Sequence, residues 1–174
     1  DVFNHIIDMY RNPDRLVPKI NPETRKMKAM ALPMIFLSTT QVMRENFGDP
    51  EYDELALEFA NTVVNDFYNE EEGVLHETVS ADGSRLDTPQ GRCINPGHSI
   101  EAVWFILHEA IYRNDKNMMQ KALDILDRSL EIGWDKTYGG IYYFIDIERK
   151  PTEQLEWDMK LWWPHTEALY STLL

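Results

Sequence analysis

The spacing of apolar positions changes along this chain, and the changes mark its elements. After Asp49-Pro50, the residues Leu55, Phe59, Val63 and Phe67 recur every four positions, the spacing of one helix face. Pro50 suits the first helical position, where a missing N–H costs nothing. MKAMALPMIFLSTTQVMRENFG (27–48) predicts a helix ending at Gly48, with Pro33 in its first turn or kinking it. Helices are also predicted over 2–10, 98–113, 115–132 and from Trp162 to Leu174, and the prolines at 13, 18 and 22 predict a loop. GVLHETVS (73–80), followed by the turn residues ADGS, and IYYFIDI (141–147), behind Gly139-Gly140, predict strands. Two loops, one rich in Gly, Pro and Asn up to Gly97 and one running to 160, complete the pattern.

These elements repeat. INPGHSIEAVWFILHEA (94–110) has a diluted echo in PHTEALYSTLL (164–174), in which Glu167 answers to Glu101. GVLHETV and GIYYFID, beginning at Gly73 and Gly140, are offset almost identically. The unit is helix, helix, short β excursion, loop, and spans about 66 residues. A two-helix unit buries only one face, so units must stack. Closing such hairpins into a ring gives an α/α toroid, and six pairs at this repeat length need on the order of 400 residues. The expected fold is therefore all-α: part of an (α/α)6 barrel with short β-hairpin excursions, a single domain over 1–174 and a fragment of something longer. Apolar helix faces left uncovered by a partial ring are expected to meet the rest of the barrel or a second copy, as a homodimer.

Charge and cysteine content narrow the partners. A net charge of −13 disfavours nucleic acid and anionic membranes, which need clustered Lys and Arg. Cys93 is the single cysteine, so no internal disulfide can form, and a reducing, cytoplasmic compartment fits. No apolar run approaches the roughly 18 residues of a membrane span. HExxH, a close trio of ligands and Gly-rich phosphate loops are all missing, so neither a metal nor a required cofactor is expected.

The candidate chemistry lies at the repeated helix starts. His98 and Glu101, at i and i+3, share a face in the first turns of a helix that follows Pro96-Gly97. The helix dipole should lower the pKa of His98, which suits a general base. Glu101 can orient the ring or bind a hydroxyl; capping is the plainer alternative for both residues. His165 and Glu167 follow Trp162-Trp163-Pro164, and aromatic planes beside carboxylates suit a sugar. Arg92 can clamp a substrate oxygen. His5, His76 and His108 read as structural, and Cys93 has no convincing catalytic partner.

GRCINPGHSIEAVWFILHEA (91–110) and QLEWDMKLWWPHTEAL (154–169) resemble the N-acylglucosamine 2-epimerase (renin-binding protein) family, with lesser matches at MALPMI, GVLHETVS and GWDKTYGGIYYF. The resemblance covers about 27–174. It implies an (α/α)6 barrel that interconverts N-acetylglucosamine and N-acetylmannosamine, removing the C2 proton beside the open-chain carbonyl and returning it on the other face. It implies catalytic roles for His98 and Glu167, with Arg92, Glu101, Trp162, Trp163 and His165 toward the sugar, and ATP as a possible effector. A second family His would follow Leu174, and a family Arg would precede this segment. Related readings are a cellobiose 2-epimerase or an aldose–ketose isomerase, from which His165 departs, since those enzymes tend to carry Gln there. Other classes remain: an α/α-toroid glycosidase using Glu101 and Glu167, or a non-catalytic protein-binding role.

Overall fold

A computed structural model describes residues 2–18, 21 and 23–174; Pro22, one of the three loop prolines, lies outside the described residues. Helix α1 (Val2–Arg11) buries Phe3 and Ile7. Strand β1 (Met27–Ala29) leads into α2 (Ala31–Phe47), which stops where Gly48 turns left-handed at φ 66°. The α3 helix (Pro50–Thr62) starts two residues later, with Pro50 at its start and the Asp49 side chain capping the Glu51 N–H. One π-helical turn (Val63–Phe67) follows, then β2 (Tyr68–Asn69), β3 (Val74–Leu75) and β4 (Thr78–Ser80). A short α4 (Pro89–Arg92) and β5 (Cys93–Ile94) precede the long pair α5 (Pro96–Arg113) and α6 (Lys116–Gly133). Strand β6 (Ile145–Asp146) and α7 (Trp162–Ser171) complete the order.

The helices form an incomplete α/α toroid. Short connections, 48–49 and 114–115, fold α2 on α3 and α5 on α6 as antiparallel hairpins. Helix α5 lies in the middle, packed against α6 and α7 and touching α2 and α3. One apolar core runs through these helices and includes Leu37, Phe59, Ile100, Ile106 and Ile125. A smaller cluster of Val74, Ile94, Ile132 and Ile145 lies under the β excursions.

The repeat holds residue by residue, at the offset that separates Glu101 from Glu167. The β2–β3 pair Tyr68↔Leu75 recurs one unit on as the bridge Trp134↔Ile141. The β1–β4 pairs Met27↔Ser80 and Lys28↔Val79 recur, with the same offset, as the β5–β6 pairs Cys93↔Asp146 and Ile94↔Ile145. The starts of α3 and α6, Pro50 and Lys116, keep that offset too, as do the starts of α5 and α7, Pro96 and Trp162.

Three expectations need correction. The helix predicted from 27 begins at Ala31, because Met27–Ala29 pair with β4; this puts buried Pro33 in the first turn, where its missing N–H breaks no bond. GVLHETVS is two strands with different partners, β2 and β1, jointed at His76-Glu77. IYYFIDI is strand only at Ile145–Asp146, since the Tyr143 and Phe144 N–H groups both donate to the Trp157 carbonyl in the loop that crosses them.

A buried ionic knot holds the end of the helices away from His98. The side chain of Glu109 is 0% exposed and accepts from the Arg44 guanidinium at 3.0 and 2.9 Å and from Arg113 Nε. Asp53 accepts from both arginines at 3.0 Å, and Arg44 stacks 3.7 Å above the Tyr112 ring. Removing one member of a buried ion pair costs about 3–5 kcal/mol, whereas exposed pairs contribute about 0–1 kcal/mol. Arg44→Ala is therefore expected to lower the urea-unfolding free energy by about 3 kcal/mol, Arg113 retaining part of the neutralisation. Arg11→Ala, at the exposed pair with Glu58, should cost less than about 1 kcal/mol.

Candidate active site

The site is assembled from equivalent ends of α5 and α7, the β3–β4 joint, and Trp163. Asn95 caps α5: its side-chain oxygen accepts the His98 backbone N–H at 3.0 Å, fixing His98 in the first turn. Gly97 lets α7 approach, since a Cβ there would stand 2.6 Å from the outer ring carbons of Trp163 and 3.0 Å from Pro164. The Trp163 ring consequently lies beside that of His98, with centroids 5.4 Å apart and planes tilted by 34°. Glu101 lies one turn beyond His98. Glu167, its equivalent on α7, accepts a 2.6 Å hydrogen bond from the Trp104 indole N–H.

A residue that sequence reasoning missed completes the group. Glu77 places both carboxylate oxygens 3.0 and 3.1 Å from Nδ1 of His98. The signal available was its place in GVLHETVS, but a single acid in a strand-like segment does not announce a partner so far along the chain. Among the described residues, Nε2 of His98 has no hydrogen-bond partner.

The electrostatics differ from the expectation for His98. Burial lowers its pKa, but the hydrogen bond and charge of Glu77 and the charge of Glu101 outweigh this, and the net shift is upward. The helix dipole pulls the other way, and Glu77, brought in by folding, together with Glu101 on the same helix, overcomes it. Glu101 is also raised, by burial first and then by the charges of Glu167 and Glu77, with His98 opposing. The three carboxylates and the imidazole thus share one electrostatic environment.

Two other expected sugar contacts are engaged elsewhere. Arg92 is buried, its Nε donating to Asp146 at 3.0 Å and its NH1 to Asp87 at 2.8 Å, so it braces the loop instead of offering a free guanidinium. His165 donates from Nδ1 to the Leu161 carbonyl at 2.6 Å and accepts the Ile141 N–H on Nε2 at 3.0 Å. Both nitrogens are occupied by backbone, leaving none for a sugar. The repeat explains this: His98 stands at i−3 from Glu101, but His165 stands at i−2 from Glu167, so His165 corresponds to buried Ser99. One step along a helix turns the side chain by about 100°, off the site face. Of the two Trp, Trp163 meets His98, while Trp162 is 79% exposed. His76 is buried between the Gly91 carbonyl and Glu72. Burial pushes the Cys93 thiol up to about 12, so it carries no thiolate at neutral pH. Among the described residues no three His, Cys, Asp or Glu side chains are grouped to hold a metal ion, and no helix is long and apolar enough to cross a membrane.

The fold is that of helical-toroid enzymes acting on sugars. A cellobiose 2-epimerase from Spirochaeta thermophila DSM 6192 superposes with a TM-score of 0.67 at 19% identity, over 84% of this chain and 37% of that one. A D-mannose isomerase superposes with a TM-score of 0.68 at 15% identity, over 84% and 39%. The model of the N-acylglucosamine 2-epimerase (GlcNAc 2-epimerase) family matches residues 9–174, and the chain belongs to that family. The N-acylglucosamine 2-epimerase of Rattus norvegicus is 37% identical over 154 residues, which are 87% of this chain and 36% of the rat protein. The chain thus spans about a third of the length of that relative.

The Gly97 contact gives a test. Gly→Ala inside a helix ordinarily gains up to about 1 kcal/mol, while forcing a group into a filled space costs typically about 1–3 kcal/mol. With a 2.6 Å approach to Trp163, the steric cost should win. Gly97→Ala is expected to lower stability in urea and to change the near-UV circular dichroism of Trp163. A more stable protein with an unaltered aromatic spectrum would contradict this packing.

Proposed function

We propose that the protein containing this chain is a sugar epimerase that inverts C2 of N-acylglucosamine and N-acylmannosamine, with His98 moving the C2 proton. The observation that carries the reading is the His98–Glu77 pair at a helix start, with Nε2 engaged by no described residue, Glu101 coupled electrostatically to both His98 and Glu167, and the Trp163 ring alongside. Membership of the N-acylglucosamine 2-epimerase family supports the substrate class.

In the open-chain sugar, the C2 hydrogen is acidic because the C1 carbonyl can take up the negative charge. Neutral His98 accepts that proton on Nε2, and the C2–H electron pair moves to form an enolate with its charge on the C1 oxygen. Glu101 and Glu167 hold hydroxyls or the acylamino group and so fix the sugar against His98. A proton delivered to the other face of C2 gives the epimer. The family resemblance supports a second imidazole, beyond Leu174, for that delivery. Because C2 bears nitrogen, this enolate cannot collapse to a simple ketose. A neutral 2-hydroxy sugar forms an enediolate instead and can be protonated at C1 to a ketose, the alternative that the likeness to a D-mannose isomerase keeps in view. Apolar side chains exposed on α2 and at α7, among them Leu32, Ile35 and Leu169, support further protein covering these faces, the rest of the barrel or a homodimer partner.

The base must be neutral to act, and the pKa of His98 is raised above 6.5. Activity (kcat/KM) should therefore rise with pH along a limb whose midpoint lies above 6.5. In deuterated water, deuterium should enter C2 of N-acetylglucosamine as N-acetylmannosamine forms. His98→Asn should lower exchange and epimerisation together by about 10²–10⁴. Exchange at a near wild-type rate in His98→Asn would refute the base assignment; a ketose or a cleaved glycan as the product would replace the reading.

A further inference from the structure

We infer that Glu77 is the positioning residue for His98, holding the imidazole in the Nδ1–H tautomer so that Nε2 is the nitrogen presented to substrate. The inference deepens the reading above and rests on it for its catalytic consequence, but the geometry stands alone. A carboxylate accepts hydrogen bonds and donates none. With both Glu77 oxygens within 3.1 Å of Nδ1, the ring hydrogen must sit on Nδ1 in the neutral form. The lone pair is then on Nε2, which no described residue engages.

The backbone around Glu77 is held from both sides. The His76 N–H donates to the Phe67 carbonyl, and the His76 ring is fixed by Gly91 and Glu72. The Glu77 carbonyl accepts the Met30 N–H, and Thr78 pairs with Ala29. These contacts fix the backbone from which the Glu77 side chain reaches the imidazole.

The repeat shows independently that this proximity is architectural. Tyr143 stands one repeat on from Glu77 and occupies the same joint in the next unit. Its ring lies 6.5 Å from that of Trp163, beside Pro164, the equivalent of His98. Both units thus set their β joint against the start of the following helix. Only the first of the two places an acid against an imidazole.

Charged groups face the His98 ring from two elements: Glu77 from the joint and Glu101 from α5 itself, the latter coupled to Glu167 on α7. Glu77→Gln keeps an acceptor oxygen and the shape but removes the charge. Glu77→Asp keeps the charge and shortens the reach. The tautomer and titration of His98 can be read from its ring ¹⁵N shifts, which need no substrate. The wild type should show the Nδ1–H form and a midpoint above 6.5. In Glu77→Gln the midpoint should fall, kcat should drop roughly 10- to 100-fold with little change in KM, and the acid limb of the pH profile should move down with the titration. Glu77→Asp should restore part of each. A wild type with the Nε2–H tautomer, or a Glu77→Gln protein with an unshifted His98 midpoint, overturns the inference. If the wild type shows the expected ring signature yet makes no epimer, the functional proposal fails while this one survives.

Discussion

Everything at this site depends on the strict register of the helical repeat. A helix pair can bury only one face, so each pair must pack against the next, and a core continuous from α2 to α7 is the consequence. Because successive units keep one constant offset, equivalent helices begin at the same end of the layer. Short backbone pairings, β1 with β4 and β5 with β6, tie each unit to its own helix start and repeat in identical register. The ionic knot of Glu109, Arg44, Arg113 and Asp53 clamps the opposite ends. The starts of α5 and α7 meet through direct packing of the two helices, Gly97 against Trp163 and Pro164 and Trp104 bonded to Glu167.

That arrangement concentrates negative charge where a base would sit. Glu77, Glu101 and Glu167 come from a strand joint and two helices, and the charges of Glu167 and Glu77 add to burial in raising Glu101. The raised pKa values of Glu101 and His98 have different leading causes: burial raises Glu101, whereas for His98 burial is opposed and outweighed by the hydrogen bond and charge of Glu77 with the charge of Glu101. For His98 this trades a smaller neutral fraction near pH 7 for a stronger base once neutral. Trp163, pressed onto Gly97, lies alongside the imidazole and bounds the site on one side.

Much was legible in the linear pattern. Apolar spacing located the helices; Gly48, Pro50 and the Pro96-Gly97 start located their boundaries; the paired Glu101 and Glu167 revealed the repeat. These are local signals, because caps, turns and helical periodicity act over a few residues. His98 and Glu167 could be singled out as candidates for the same reason: they sit at recognisable helix starts.

The linear pattern did not reveal the direction in which each side chain finds its partner. Arg92 looked like a free cation until Asp146, far along the chain, was folded against it. His165 looked like a copy of His98, but a shift of one position turned it into the backbone of its own helix and of Gly140-Ile141. Glu77 had only its place in GVLHETVS to mark it; β-pairing with residues near 29 set it against His98. The sign of the His98 shift reversed for the same reason. The helices, their repeat and the residues at the helix starts follow from short-range backbone and periodicity rules, and the chain alone was enough to place them. That Glu77 meets the imidazole emerged on folding, because charge and hydrogen bonding depend on distances of a few ångströms between residues far apart in the chain.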